Sequence, residues 1–443
     1  MGSAEREAPA ARVLELSTAD ETEAIVTSAA SGLTRFTHNA IHQNVASSDT
    51  TVRVRAIVDR RTGVAVTNDT SESGLRAVTE RAVAMARLAP RDDAFPGLAR
   101  YAPNPAPAGC FHEATAVADA ALRARIAEAI FRTGNEGALQ AAGYVTTGRS
   151  GVSIANSAGT LASFDSTDAG INVKQIAADS SGYAERYSND VADLDGTLAG
   201  SRAAEKARAS GAPIAVVPGS WTVILEPAAF GELLSYLAPH FSAQAFDEGS
   251  SFLGDGLDRQ YAGENVTIVD DFAHPLNPGQ PFDYEGAPKH RVVLLENGVA
   301  RGIVTDANWA RKLGRENTGH ALPEPNAWGP HPLNVVLSPG TASTDELIAQ
   351  TKRGLLVSRF WYIRNVDHRK TIVTGMTRDG TFLIEDGKIV RGVRNLRFNQ
   401  SILEALRNAE FSREAVRTGG YFYSLVAPAA KIEGFEFSSV TAF

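Results

Sequence analysis

Four carboxylates crowd one region of this chain, Asp270, Asp271, Asp283 and Glu285. Paired acids at close range can hold a hard cation or share general acid and base roles. Their spacing fits no calcium loop, so solvated or capping positions are the expectation for them. His320 and His331 flank a proline-rich loop, Leu322-Pro323-Glu324-Pro325-Asn326-Ala327-Trp328-Gly329-Pro330, with Trp309 nearby in sequence. Aromatic faces and backbone groups on such a loop suit gripping an extended peptide. Used instead for hydrolysis, His320 and His331, or Asp271, Asp283 and Glu285, would make the chain an enzyme in its own right. His38 and His42 have a gap that chelates on a helix, where both rings share a face. Their segment reads as β, which sets them roughly 13 Å apart along a strand, so a metal site is not expected. The single cysteine, Cys110, rules out an intrachain disulfide and a multi-cysteine zinc site. It lacks a catalytic context and reads as a small inert side chain. No Gly-x-Ser-x-Gly elbow occurs. Gly148, Gly151, Gly159 and Gly170 match no phosphate-loop spacing.

The elements that would position these groups follow from pattern. With 443 residues, two domains are expected. A hydrophobic content of 43% with 21% charged residues suits a soluble globular protein. The net charge of −8 argues against broad nucleic-acid binding. The N-terminus carries Glu5 and Glu7 and does not read as a signal peptide; no apolar run reaches membrane-spanning length. The cytoplasm is the expected compartment.

Thr18 to Ser31, with acids in its opening turn, reads as a first helix. Thr51 to Val58 alternates strictly and predicts a half-buried strand, paired with Val64 to Asn68 as a hairpin. Leu75 to Leu88, Ala114 to Glu136 and Leu194 to Ala209 read as helices, with a proline-rich loop from Arg91 to Pro107. Short strands broken by glycines are expected between Gln140 and Lys174. A boundary at Ser210-Gly211-Ala212-Pro213 divides residues 1–210, an α/β domain with an antiparallel sheet and helices on one face, from residues 211–443, a strand-rich barrel-like or sandwich domain with a few helices. The class is α+β. In the second half, Thr371 to Val390 holds three apolar runs separated by Asp379-Gly380 and Asp386-Gly387, which predicts a three-stranded meander with those pairs at its tips. Phe398 to Arg407 reads as a late helix and Tyr421 to Val440 as final strands. Glu226 to His240 reads as a helix started by Pro227 and stopped by Pro239, with Phe230, Leu233, Leu234 and Leu237 as its core stripe.

The wording of the meander is distinctive. Thr374-Gly375-Met376-Thr377-Arg378-Asp379-Gly380, Leu383-Ile384-Glu385-Asp386-Gly387 and Arg394-Asn395-Leu396-Arg397-Phe398 resemble the C-terminal domain of the TldD/PmbA family. Ser250-Ser251-Phe252-Leu253-Gly254, Phe282-Asp283-Tyr284-Glu285-Gly286, Leu295-Glu296-Asn297-Gly298-Val299 and Thr318-Gly319-His320-Ala321 extend the likeness in order and spacing. The resemblance implies a peptidase-like protein of a group once described as modulators of DNA gyrase. In the active branch, the helix matching Glu226 to His240 carries His-Glu-x-x-x-His: two histidines bind zinc and the glutamate acts as general base, with a cysteine as usual third ligand. Here Ser235 stands for the first histidine and Tyr236 for the glutamate, and only His240 is kept. The C-terminal half has no cysteine. Serine is a poor zinc ligand and tyrosine a poor base near neutral pH. The resemblance therefore points to the TldE/PmbA-like branch: no catalytic or metal-binding residue in this chain, zinc in a TldD-like partner bearing His-Glu-x-x-x-His, a hetero- or homodimer, and unstructured or leader peptides as substrate. His240 is expected to face solvent beyond the helix end. A non-enzymatic, homo-oligomeric peptide-binding protein is the remaining alternative.

Overall fold

The computed structural model describes residues 2–135, 138–419 and 423–441. Six strands, β1 (Glu21–Thr37), β2 (Ala40–Val58), β3 (Arg61–Thr67), β4 (Gln140–Asn156), β5 (Leu161–Ile176) and β6 (Ser181–Ser188), form an all-antiparallel sheet in the order β3-β2-β1-β4-β5-β6. Helices α1 (Ser3–Leu16), α2 (Glu72–Leu88), α3 (Glu113–Ala116), α4 (Ala120–Asn135) and α5 (Gly196–Ala209) accompany it. Alternation along the strands divides the sheet's faces. Ala24 and Val26 point to α1 and α2, while Phe36, Val145 and Ile171 pack under α4 and α5. Ile25, Val152, Ile154 and Phe164 point the other way, onto Phe282 of the C-terminal half.

Residues 18–31 are therefore not a helix, because β1 lies at the sheet's centre with both faces covered. Its acid Glu23 stands directly across from Arg55 on β2, and the two form a buried ion pair at 2.9 Å. Cross-strand pairing of this kind replaces the dipole role that a helix reading gives the same acid. The helices at α2 and α5 form as their patterns predict, capped by Ser71 and Asp195. The expected short strands between Gln140 and Lys174 are two long ones, β4 and β5, whose glycines lie within the ladder. Glu136 and Tyr421, which bound two expected elements, lie outside the described residues.

The second half builds on β7 (Gly219–Leu225), β8 (Ile268–Asp270), β9 (Val292–Glu296), β10 (Val299–Ala300), β11 (Val335–Leu337), β12 (Arg353–Asp367), β13 (Ile372–Glu385), β14 (Lys388–Gly392), β15 (Leu396–Ser401), β16 (Glu410–Gly419) and β17 (Ser424–Val440). β7, β12, β13, β15 and β17 pair in a closed circuit, because the long β17 hydrogen-bonds both β15 and β7. This is the barrel-like part, with β8 to β11 extending the sheet from β17. Phe360, Phe398 and Phe435 meet inside, the closest ring centroids being 4.5 Å apart. Helices α6 (Pro227–Leu237), α7 (Ala243–Asp247), α8 (Ala307–Leu313), α9 (Thr344–Ala349) and α10 (Ile402–Arg407) are short. Residues 398–401 belong to β15, so the late helix is only α10.

The meander needs correction. Asp386-Gly387 is a turn between β13 and β14, with φ of +46° and +75°. Asp379-Gly380 is not a tip: β13 runs straight through it. Val357 pairs with Thr381 and Arg359 with Arg378, so Ser358 alone faces both residues, which makes a β-bulge. The positive φ values, +53° and +126°, serve that bulge. The reversal between β12 and β13 falls instead at His368 to Thr371.

Candidate functional site

Helix α6 begins with Pro227 at its first position and buries Phe230, Leu233, Leu234 and Leu237. Pro239 does not end the turn sequence; a 3₁₀ turn continues over Ala238–Phe241. On this segment, Ser235 is fully buried and its Oγ donates to the Glu232 carbonyl at 2.7 Å. The Tyr236 hydroxyl donates to the Ile363 carbonyl of β12 at 2.8 Å. Both hydroxyls thus serve the scaffold.

His240 is not solvent-facing. It is only 5% exposed, its ring centroid 5.9 Å from that of His368 and 5.8 Å from that of Phe252. Burial, reinforced by His368, pushes its pKa down to about 4, so the imidazole is neutral at physiological pH. It borders a cleft of about 210 Å³ with Tyr236, Trp328, His331, His368 and Gln244. Trp328 is 68% exposed on the cleft's rim. His331 is buried against Tyr423 and is likewise pushed down to about 4 by burial. His368 had no signal in the sequence: it comes from the β12–β13 reversal, far along the chain.

The zinc chemistry of a His-Glu-x-x-x-His helix does not fit this donor set. A catalytic zinc normally takes three protein ligands; α6 and its 3₁₀ turn present one imidazole. Among the described residues no three His, Cys, Asp or Glu side chains cluster so as to hold a metal ion.

The proline-rich loop divides the other candidates. His331 and Trp328 reach the cleft, but His320 does not. It is buried, with Nε2 donating to Asp270 Oδ1 at 3.1 Å and Nδ1 2.9 Å from Thr318. Burial alone would raise the Asp270 carboxyl; Lys289, His320 and the Asn334 amide outweigh it and hold it at about 2. Lys289 is buried beside them and donates to Asn334 Oδ1 at 2.8 Å. Trp309 lies apart, under the Lys312 ammonium.

The acids expected to be solvated are mostly internal: Asp270 ends β8 between β9 and β11, and Asp283 follows Phe282, which packs on the N-terminal sheet. Asp283 accepts the backbone N–H groups of Glu285, Ala287 and Ala321, each at 2.9 Å; burial and Glu285 nonetheless raise its pKa. Glu285 sits 3.8 Å from Arg55, and Asp271 pairs with Arg291 at 3.4 Å. Asp270, Asp271, Asp283 and Glu285 are thus tied to different partners. His38 stands in the β1–β2 turn with φ of +51° and His42 on exposed β2. Cys110 is buried, its thiol pushed up to about 11 by desolvation, which suits an inert role. Sequence reasoning also missed a seam at α6: burial pushes Glu232 up to about 7, with Glu185 of β6 adding to the rise and Arg359 opposing it.

Residues 218–439 match the PmbA/TldA metallopeptidase C-terminal domain, and residues 22–86 match PmbA/TldA metallopeptidase domain 1. A metalloprotease from Methanothermobacter thermautotrophicus is 28% identical over 278 residues, 58% of each chain. A metalloprotease TldD homolog from Haemophilus influenzae is 28% identical over 222 residues, 48% of this chain and 45% of that protein. The chain therefore aligns with about half the length of these relatives. TldE from Thermococcus kodakarensis superposes with a TM-score of 0.87 at 22% identity, covering 98% of this chain and 99% of that one. A protein described as a modulator of a DNA gyrase from Thermotoga maritima gives 0.85 at 20% identity, covering 98% and 100%. Domain matches across half of the sequence and more place this chain in the PmbA/TldD metallopeptidase family.

Proposed function

We propose that this chain is the zinc-free, TldE/PmbA-like subunit of a heteromeric metallopeptidase, whose TldD-like partner bears His-Glu-x-x-x-His and supplies the metal. The observation that carries this reading is the commitment of Ser235 and Tyr236 to scaffold carbonyls, at the positions where a motif-bearing helix has its first ligand and its base. The role left to the chain is to shape the cleft. Neutral imidazoles of His240 and His331 and the exposed face of Trp328 suit the backbone and apolar side chains of an unstructured or leader peptide. The net charge of −8 supports a peptide rather than a nucleic acid as substrate. The cytoplasm is the compartment that goes with this reading; among the described residues no helix is long and apolar enough to cross a membrane.

The test is metal content by mass spectrometry, with peptidase assays, on the purified chain alone and after co-expression with a motif-bearing homologue. Zinc and activity confined to the co-purified complex are expected. About one zinc per isolated chain would overturn the reading and favour a self-sufficient hydrolase. A metal-free, inactive homodimer that ignores the homologue would favour a binding protein.

A further inference from the structure

A cavity of about 510 Å³, larger than the cleft at His240 and sharing no lining residue with it, lies where β5 and the β5–β6 turn meet the bulge of β13. Lys174, Arg378 and Arg394 all line it, and among the described residues none of the three has an ion pair. Arg378 is steadied by stacking on Trp361, its guanidinium carbon 5.6 Å from the ring centroid. The two carboxylates in the lining are already engaged. Asp179 accepts the Ala212 N–H at 2.9 Å. Asp379 accepts from Ser181 Oγ at 2.7 Å, and its other oxygen is 3.5 Å from Arg359 Nε. Beside it, Thr381 Oγ and Ser358 Oγ are buried hydroxyls without a hydrogen-bond partner among the described residues. Buried polar groups are normally satisfied, so such a cluster at one bulge needs a reason. The bulge explains the geometry: two positive φ values in succession turn Asp379 toward β6 while Arg378 and Thr381 line the cavity.

A molecule of net charge −8 thus gathers, around one concave space that also holds Asp179 and Asp379, three cations without an ion pair among the described residues. We propose that this cavity binds a small oxyanion-bearing molecule, a phosphate or carboxylate compound, through Lys174, Arg378 and Arg394. The two guanidinium groups offer planar, paired donors to neighbouring oxygens, and Lys174 a point charge.

Titration calorimetry of the full chain with inorganic phosphate, and separately with citrate, tests this. Saturable binding of either is expected, phosphate alone marking a phosphate site and citrate alone a carboxylate site. R378Q and R394Q should each weaken it about tenfold or more, the loss expected for one charge-assisted hydrogen bond. K174M, at a partly exposed strand position, provides a further variant if either arginine change lowers the melting temperature. R259Q, an exposed arginine outside the lining, should bind as the wild type does. Absence of binding by both probes, or equal binding by R259Q and the cavity variants, would overturn the proposal.

Discussion

The buried pair Glu23–Arg55 sets two magnitudes against each other. Removing one partner of a buried ion pair usually costs about 3–5 kcal/mol, because the other charge is left uncompensated. Here the guanidinium is shared: Glu23 lies at 2.9 Å and Glu285 at 3.8 Å, and Glu324 also acts on it. Burial first, and then repulsion from Glu285 and Glu324, outweighs Arg55 and pushes the Glu23 carboxyl up to about 7 from an ordinary 4.5. For an acid with a raised native pKa, the folded state binds more protons than the unfolded one between those values. Stability is therefore highest below about 4.5 and falls as pH rises to about 7. At 1.36 kcal/mol per pH unit, the fall attributable to Glu23 is about 3 kcal/mol. E23Q mimics the protonated acid, keeps an acceptor for Arg55 and leaves Glu285 as its counter-charge. Urea unfolding of wild type and E23Q should give equal stability near pH 4.5, with E23Q ahead by up to about 3 kcal/mol at pH 8. Comparing the two proteins cancels the other titrating groups, such as Asp306, whose carboxyl burial also lifts to about 7. A difference that does not change with pH, or E23Q losing about 3 kcal/mol at pH 8, would refute the reasoning.

Two further outcomes follow from α6 and its cleft. Y236F should lower stability by about 0.5–1.5 kcal/mol, since the Ile363 carbonyl loses one of its two donors and keeps Arg364 Nη1 at 2.6 Å, while zinc content stays as in wild type; urea unfolding and metal analysis check this. The imidazoles of His240 and His331 should show no titration between pH 8 and about 5.5 by NMR, because burial puts both near 4; a midpoint near 6.5 for His240 would place its ring in solvent.

The parts of the fold that were legible are those whose signals are local. α2 and α5 carry a helical stripe and a capping side chain, and Asp386-Gly387 joins β13 to β14, neighbours in sequence whose Glu385 and Lys388 pair across the turn. Where a local signal serves two structures, the sequence was ambiguous. Asp379-Gly380 supplies successive positive φ values, which either a type I′ turn or a bulge can use. The long partner β12, hydrogen-bonded on both sides of Ser358, selects the bulge. β1 was misread for the related reason that central strands lose their alternation when both faces are covered. Its acids then look like a helix start until Arg55 is seen opposite.

The site shows the same division more sharply. That α6 lacks a zinc-binding pattern could be read directly, since it needs only the identities of Ser235, Tyr236 and His240. What those residues do instead depends on groups brought from elsewhere: the Ile363 carbonyl from β12, His368 from the β12–β13 reversal, and Trp328 and His331 from the proline-rich loop. Replacing a ligand and a base by two hydroxyls need not leave idle polar atoms in a buried helix, because an unsatisfied hydroxyl there would cost about 1–3 kcal/mol. Each has a carbonyl to receive it: Ser235 that of Glu232 in its own helix, and Tyr236 that of Ile363, which ties the helix to β12. The buried, neutral imidazoles of His240 and His331 border the cleft beside it.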